Sequence, residues 1–340
     1  MKGLHFIFLV LLCHFHGFSV TRTKILLLMG SRFEITAVAQ DDTIAWLGIN
    51  GAIKEIERIE NLISTYIETS EISIVNQNAG IQPVKVSSEV YDLIYRSLKV
   101  SELTGGLFDI TWASMDKIWK FDGSMTALPA DSIIKKSVKL VNYKNVSLNK
   151  DSSSVFLRQK GMKIEFGAIG KGLAANKARD TMKSLGIANG IVIAGGDLIT
   201  WGKPEDKQTW TIGIANPENP ELALSWLDVN EMAVVTSGDY EKYAMIDGKR
   251  YSHIINPKTG YPAYGLRSVT IICPDAELAD ALATSVFLLG EKEGLDLVNK
   301  MKGVECIIIS DNFSIFTSNG VKLNYYDTHQ NSGNHNFIIK

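Results

Sequence analysis

The apolar positions of this chain follow two periods. Within residues 44–63, Ile49, Ile53, Ile56, Ile59 and Ile63 recur every three or four positions, which places them on one face of an amphipathic helix. The same spacing in Val90, Leu93, Ile94, Ser97, Leu98 and Ser101 predicts a second helix that ends before Gly105-Gly106. Residues 171–185 and the strongly apolar 276–289 predict two more. Short apolar runs at 25–29 and 33–39, around a Gly30-Ser31 break, read as strands. So do 191–194, 210–215, 232–236 and 304–310, with a Pro-rich loop at 216–220. Residues 122–132, with Gly123 and Pro129, predict a surface loop, and 327–336 a loose polar tail. No linker or repeat interrupts this alternation. It predicts an α+β fold, as one domain of about 300 residues or as two lobes around a cleft.

Composition narrows the function classes. The 340 residues are 45% hydrophobic and 21% charged, which describes a globular protein rather than a disordered one. A net charge of −2, with Lys and Arg scattered, gives no electrostatic case for nucleic acid. Lys2, the apolar run 6–12 and the small residues Gly17 and Ser19 predict a signal peptide over 1–19, because that run is far short of the ~20 residues that span a bilayer. Cys13 sits where a lipid-anchor cysteine could, but bulky Leu12 precedes it, so cleavage after Ser19 is expected. The chain is then exported, to the periplasm or the outer face of the cytoplasmic membrane, touching membrane only through an N-terminal anchor if at all. Cys273 and Cys306 lie in apolar runs without metal-like spacing and read as buried free thiols.

Six segments can carry chemistry. YSHIINPKTGYP, at 251–262, sets His253 in what its Asn-Pro start and Thr-Gly-Tyr-Pro end predict to be a rigid loop rather than a strand or helix. Such a histidine is either a hydrogen-bonded loop residue or an acid–base group working near neutral pH. EFGAIGKGLAAN, at 165–176, lets backbone approach closely, and Lys171 opens a helix whose N-terminus favours anions; the same small residues also suit tight packing. It lacks the GxxxxGK[ST] spacing. Asp197 in AGGDL could orient a ligand or cap a turn, and TSGDYEKY, at 236–243, reads as a polar turn between strands. STYIETSEISIVN, at 64–76, places Tyr66 and a polar turn after the long helix. In ADALATSVFLLG, at 279–290, Asp280 and Thr284 are four apart and share a helical face. An acid in so apolar a helix is costly unless paired. The two oxygens suit Mg²⁺, or else they bond nearby backbone.

Taken in order, MGS at 29–31, STY with SEISIVN, GGLFDIT at 105–111, GAIGKG, GGDL, TSGDYEKY, YSHIINPKTGYP and ADALAT resemble the ApbE family of flavin transferases. The order of eight motifs makes the resemblance specific where a single glycine turn would not. It implies a single T-fold-like domain over residues 20–325, with mixed or antiparallel sheets packed by helices, and 326–340 as a polar tail. It further implies a Mg²⁺-dependent enzyme that takes FAD as substrate and moves its FMN half onto a Ser or Thr hydroxyl of a target protein, with AMP leaving. The acceptor implied is an exported or membrane redox subunit bearing a flavinylation motif.

By the same resemblance, metal contacts come from the Ala168 carbonyl, Asp280 and Thr284, with Ala283 nearby. FAD contacts come from Met29, Tyr66, Leu107, Phe108, Asp109, Glu165, Lys171, Ile254 and Ile255. His253 matches the base and acts beside Asp280. Tyr66, where a hydrolytic relative carries Asn, implies transfer rather than cleavage of FAD to FMN and AMP. A flavin-binding protein without catalysis is the remaining class; His253, Asp280 and Thr284 together argue against it, because binding needs no base. Two positions depart from the common pattern. Asn256 stands where Asp is frequent, and Glu165 lengthens a usual Asp by one methylene.

Overall fold

The computed structural model describes residues 19–216, 219–239, 242–325 and 338–339. Its framework is an eight-stranded sheet built from Val20–Leu28, Ser31–Ala39, Asn189–Ala194, Asp197–Trp201, Ala233–Gly238, Leu266–Cys273, Glu305–Ser310 and Ile315–Thr317. The strands lie side by side in chain order, and each neighbouring pair is antiparallel. Tight turns join some neighbours, and long excursions leave the sheet and return to it.

Those excursions supply the helices: α1 (Asp42–Ile63), α2 (Glu71–Gln77), α3 (Ser88–Leu103), α4 (Asp131–Ser137), α5 (Gly170–Ser184), α6 (Ala276–Leu289) and α7 (Glu291–Val298). Along each central strand, alternate residues enter different cores. Phe33, Ile35, Ala37, Val192, Ala194, Ile199, Val235, Val269, Ile271 and Ile308 join the core shared with the helices. Val38, Ile191, Ile193, Leu198, Val234 and Ile307 pack instead against Trp210, Ile212, Ile214, Leu227 and Val229. The latter belong to a hairpin of Trp210–Asn216 and Asn219–Val229, which heads a second, four-stranded sheet. Helices, large sheet and small sheet therefore form three layers. Strands covered on both faces read as continuous apolar runs, which is why their periodicity was legible only as short blocks.

The four long helices fall within a residue or two of their expected bounds. The expected polar turn stands after α1, and α2 follows it, with Ser70 accepting the Ser73 N–H at 3.0 Å and Ile72 and Val75 buried. Three local expectations are corrected. Asn219 and Pro220, expected in the loop 216–220, open a strand, Asn219–Val229, after a break of two residues outside the described set. Tyr251 and Ser252 end a strand, Lys249–Ser252, paired with Tyr243–Ile246 about Asp247-Gly248. Both turn residues have positive φ, the requirement of a two-residue type I′ hairpin. Within the expected tail, Ile338–Ile339 pairs in parallel with Ile212-Gly213. The rest of that tail and residues 1–18, with Cys13, lie outside the described residues.

Cys273 and Cys306 are buried and unpaired, and burial pushes their thiols up to about 11 and about 12. No described helix is long and apolar enough to cross a membrane.

One contact sets the site. Where α5 crosses the start of α6, a Cβ on Gly172 would stand 2.1 Å from the Ala276 carbonyl oxygen and 2.8 Å from the Glu277 Cα. Beyond it, Asn176 donates to the Asp275 carboxylate at 2.9 Å and accepts the Ala276 N–H at 3.0 Å, which braces the α6 N-terminus. Arg96 on α3 grips Glu277 with two bonds of 2.6 and 2.8 Å from the other side. Gly→Ala inside a helix ordinarily stabilises by up to about 1 kcal/mol. At Gly172 the sign reverses: Gly172→Ala is expected to destabilise by about 1–3 kcal/mol through overpacking against backbone. A urea midpoint at or above that of the unmodified protein would remove this contact as a constraint.

Candidate active site

The N-terminus of α5 has no side-chain cap of its own; Ile169 occupies that position. Its Gly172 N–H instead donates to Asp280 Oδ2 at 3.1 Å, so a carboxylate from α6 caps α5 from outside. Lys171, one residue earlier, places its Nζ 2.9 Å from Asp197 Oδ2 and 3.6 Å from Asp280 Oδ2. Both carboxylates are only 3% exposed. Two buried acids thus share one ammonium. Burial pushes the Asp280 carboxyl well above the usual range, with Lys171 opposing and Asp197 adding to the shift.

This cluster floors a cavity of about 350 Å³. Its other walls come from three stretches: Leu107, Phe108, Asp109 and Trp112 on one side; Glu165 to Ile169 on the second; His253, Ile254, Ile255 and Pro257 on the third. Thr284 and Ser237 face each other across the floor, with hydroxyls 3.4 Å apart. The aromatic and aliphatic walls suit a planar ring, and the charged floor suits a polar, metal-accompanied group.

His253 is held on its loop by one carbonyl used twice. Lys242 C=O accepts the His253 backbone N–H at 3.0 Å and lies 3.2 Å from Nδ1. With Nδ1 donating there, Nε2 carries the lone pair. Burial lowers the imidazole below its ordinary value; the Lys242 hydrogen bond opposes this, and the charges of Lys242 and Lys171 reinforce it. His253 is therefore neutral at pH 7.

The rest of the loop is rigid for reasons that can be named. Asn256 Oδ1 accepts the Lys258 and Thr259 N–H groups at 2.9 and 3.3 Å, and its backbone N–H and C=O bond Tyr261 and Gly260. Trp119 donates its indole N–H to the Gly260 carbonyl at 2.8 Å, and a Cβ on Gly260 would press on Ile134 of α4. Asn256 is thus an Asx-turn residue, using only an oxygen that Asp also possesses.

Of the residues singled out from sequence, the cavity gathers Leu107, Phe108, Asp109, Glu165, Ala168, Lys171, His253, Ile254, Ile255, Asp280 and Thr284. It does not gather three. Tyr66 is 94% exposed in the turn after α1. Met29 sits at positive φ in a two-residue turn, its N–H donating to Glu60 and its side chain packed on the core. Ala283 is wholly buried in the helix-facing core. Asp109 lines the wall, yet both its oxygens are engaged internally, by Thr111 and by the Tyr143 N–H. Glu165 is the freer acid: burial raises its carboxyl, opposed by Lys117 and a bond from Trp112. From the sequence alone, Asp197 reads as either a ligand-orienting acid or a turn cap. Its signal was an acid opening a strand, DLITW, that is otherwise uncharged and wholly buried.

Among the described residues no group of three or more His, Cys, Asp and Glu forms a metal cluster. The oxygens of Asp280 and Thr284, with Ala168 in the same lining, are instead a sparse set of hard donors. Two buried carboxylates share one ammonium, and Asp280, pushed up by burial, holds its charge more readily with a cation beside it, which fits a divalent cation completed by ligand oxygens.

Fold and site together define a three-layer α+β protein with a buried Lys–Asp floor and a loop-held histidine at the mouth of a ring-sized cavity. The chain belongs to the ApbE family, whose model matches residues 29–308. It is 30% identical over 300 residues to the FAD:protein FMN transferase of Klebsiella pneumoniae, covering 88% of this chain and 92% of that one. It is also 30% identical over 295 residues to the enzyme of that name from Treponema pallidum, covering 80% and 81%. The crystal structure of the ApbE protein of Thermotoga maritima superposes with a TM-score of 0.80 at 32% identity, over 88% of this chain and 97% of that one.

The Asx turn gives a clean substitution pair. Asn256→Ala strips two N–H groups of their acceptor and is expected to cost about 1 kcal/mol, whereas Asn256→Asp stays within about 0.5 kcal/mol of the unmodified protein. Urea unfolding of both variants checks this. Equal losses for Asp and Ala would mean that the amide nitrogen, not the oxygen, holds the loop.

Proposed function

We propose that this protein transfers the FMN half of FAD to a Ser or Thr hydroxyl of an acceptor protein. The observation that carries the reading is His253, fixed through Nδ1 on the Lys242 carbonyl and lining the same cavity as the Lys171–Asp280 floor. The names of the relatives from Klebsiella and Treponema support it. Ring contacts would come from Phe108, Ile254 and Ile255, and the pyrophosphate would lie over Lys171 at the α5 N-terminus.

In the reaction, the acceptor hydroxyl oxygen bonds to the FMN phosphorus while the bond from that phosphorus to the bridging oxygen breaks. AMP leaves with the bridging oxygen, and His253 Nε2 takes the hydroxyl proton. Such transfer depends mostly on positioning and on offsetting charge. Lys171 offsets part of it. Mg²⁺, held by Asp280, Thr284 and the Ala168 carbonyl, would neutralise and polarise the pyrophosphate when bound. The expected export signal agrees with an acceptor among exported or membrane redox subunits.

The deciding assay gives the purified protein FAD, Mg²⁺ and an acceptor with a Ser/Thr flavinylation motif. A covalently fluorescent acceptor band is expected, and Asp280→Ala is expected to abolish it. Free FMN with an unlabelled acceptor would make water the nucleophile and the protein an FAD pyrophosphatase. Intact FAD would sink both enzymatic readings.

A second outcome concerns pH. A base must be unprotonated, and His253 titrates below the ordinary 6.5. The acid limb of kcat/KM is therefore expected below pH 6.5, with activity level above it until another group titrates. His253→Gln is expected to lose about 10²–10⁴ of the transfer rate and to flatten that limb, with FAD affinity retained. A limb that survives in the Gln variant would assign it to another group.

A further inference from the structure

A second cleft, of about 980 Å³, opens beside the candidate active site. It is lined by the hairpin of Tyr243–Ile246 and Lys249–Ser252, by Tyr264 to Arg267, and by Asp311 and Asn312. The hairpin has two faces. Ala244, Ile246 and Tyr251 pack inward with Trp119 and Ile134, while Tyr243, Met245 and Arg250 turn toward the cleft. Met245 is 51% and Tyr264 61% exposed. Cations lie over these rings: Arg250 stands 3.7 Å from the Tyr243 centroid and Lys249 3.1 Å from that of Tyr264. Buried Asp239 holds Arg250 and Arg267 at 3.4 and 3.3 Å, which keeps the wall shaped without ligand.

Two chain segments run directly from this cleft into the active-site cavity. Gly238 lines the cavity and Asp239 the cleft; Arg250 lines the cleft, and its strand continues through Ser252 to His253 in the cavity wall. That continuity matters because a Ser or Thr hydroxyl sits one carbon from its own backbone. To bring it within about 3 Å of the His253 ring, the acceptor's main chain must cross the rim on the histidine side. The walls at Leu107–Trp112 and Glu165–Ile169, together with Ile254 and Ile255, are left for the flavin nucleotide. The hairpin is also a two-stranded sheet with no third strand among the described residues; Ser252 N–H already donates to the Ala263 carbonyl, so the edge that an extended peptide can join is that of Tyr243–Ile246.

We propose that this cleft docks the extended, hydroxyl-bearing segment of the acceptor protein. Met245 and Tyr264 supply the apolar grip, and the hairpin edge sets the direction of the chain toward His253. The proposal rests on the transferase reading, and its test separates the two.

The probe is the soluble domain of an exported flavinylated redox subunit, in its native form for turnover and with alanine at its acceptor position for binding. The double variant Met245→Asp/Tyr264→Ala is expected to raise both the acceptor KM and the dissociation constant of the alanine form at least tenfold. FAD affinity, measured by flavin fluorescence, is expected to stay within twofold, which also shows that the site is folded. Lys249→Glu, made separately, is expected to weaken acceptor binding in the same direction. Unchanged acceptor binding in these variants, or no binding to the unmodified protein, would overturn the docking surface. Acceptor that binds at the cleft without becoming labelled would overturn the transferase reading and leave the docking surface standing.

Discussion

Two helices meet here with no side chain between them. At Gly172, α5 rests on the Ala276 carbonyl of α6, and no other residue type fits that gap. The chemistry depends on it at short range. Only because the helices touch can Asp280, one turn into α6, accept an N–H from the first turn of α5 and lie within 3.6 Å of Lys171. Asn176 on the next turn of α5 fixes the rotation of α6 by bonding both Asp275 and the Ala276 N–H. The glycine, the lysine and the asparagine of GKGLAAN are thus one device. The glycine sets the distance, the asparagine sets the angle, and the lysine is delivered to two carboxylates as a consequence.

Most of the framework was legible because its signals are local and repeated. A 22-residue helix with a stripe of isoleucines can hardly be read otherwise, and the strands announced themselves as apolar blocks. What escaped was short or two-sided. The helix Glu71–Gln77 has two turns and a polar N-terminus, and it resembles a loop until its Ser70 cap is seen. The hairpin around Asp247-Gly248 lay hidden beside the histidine motif, although Asp-Gly is a strong turn signal. For the site, residues on the glycine turns and on α6 converge because α5 and α6 pack on the large sheet, and the histidine loop joins them because it runs from its own two-stranded sheet into the strand Leu266–Cys273. Tyr66 and Met29 sit on turns outside the cavity wall, and nothing in their local pattern specifies what they approach. Asp197 was visible only as an oddity, an acid where the strand demanded an apolar residue, and its meaning required the distance to Lys171. The open question at Asn256 closes the same way: its oxygen builds the turn, so an amide serves as well as a carboxylate.

The charge balance of the cavity constrains how any phosphate ligand binds. Its wall carries Asp109, Glu165, Asp197 and Asp280 against Lys171, with His253 neutral at pH 7. Asp109 is spoken for by its hydrogen bonds, but Asp197 and Asp280 together outweigh the one ammonium between them. A pyrophosphate entering alone would meet repulsion in a poorly screened site, where close charges interact several-fold more strongly than in water. A helix N-terminus offsets only about half a unit charge, and Asp280 already occupies part of it. For the proposed transfer, that balance favours a nucleotide that arrives with a cation of its own. Asp280, raised by burial and incompletely offset by Lys171, is then less a general acid or base than the group whose negative charge such a cation relieves. In the proposed reaction the proton falls to His253, which the Lys242 carbonyl holds in place in the cavity lining.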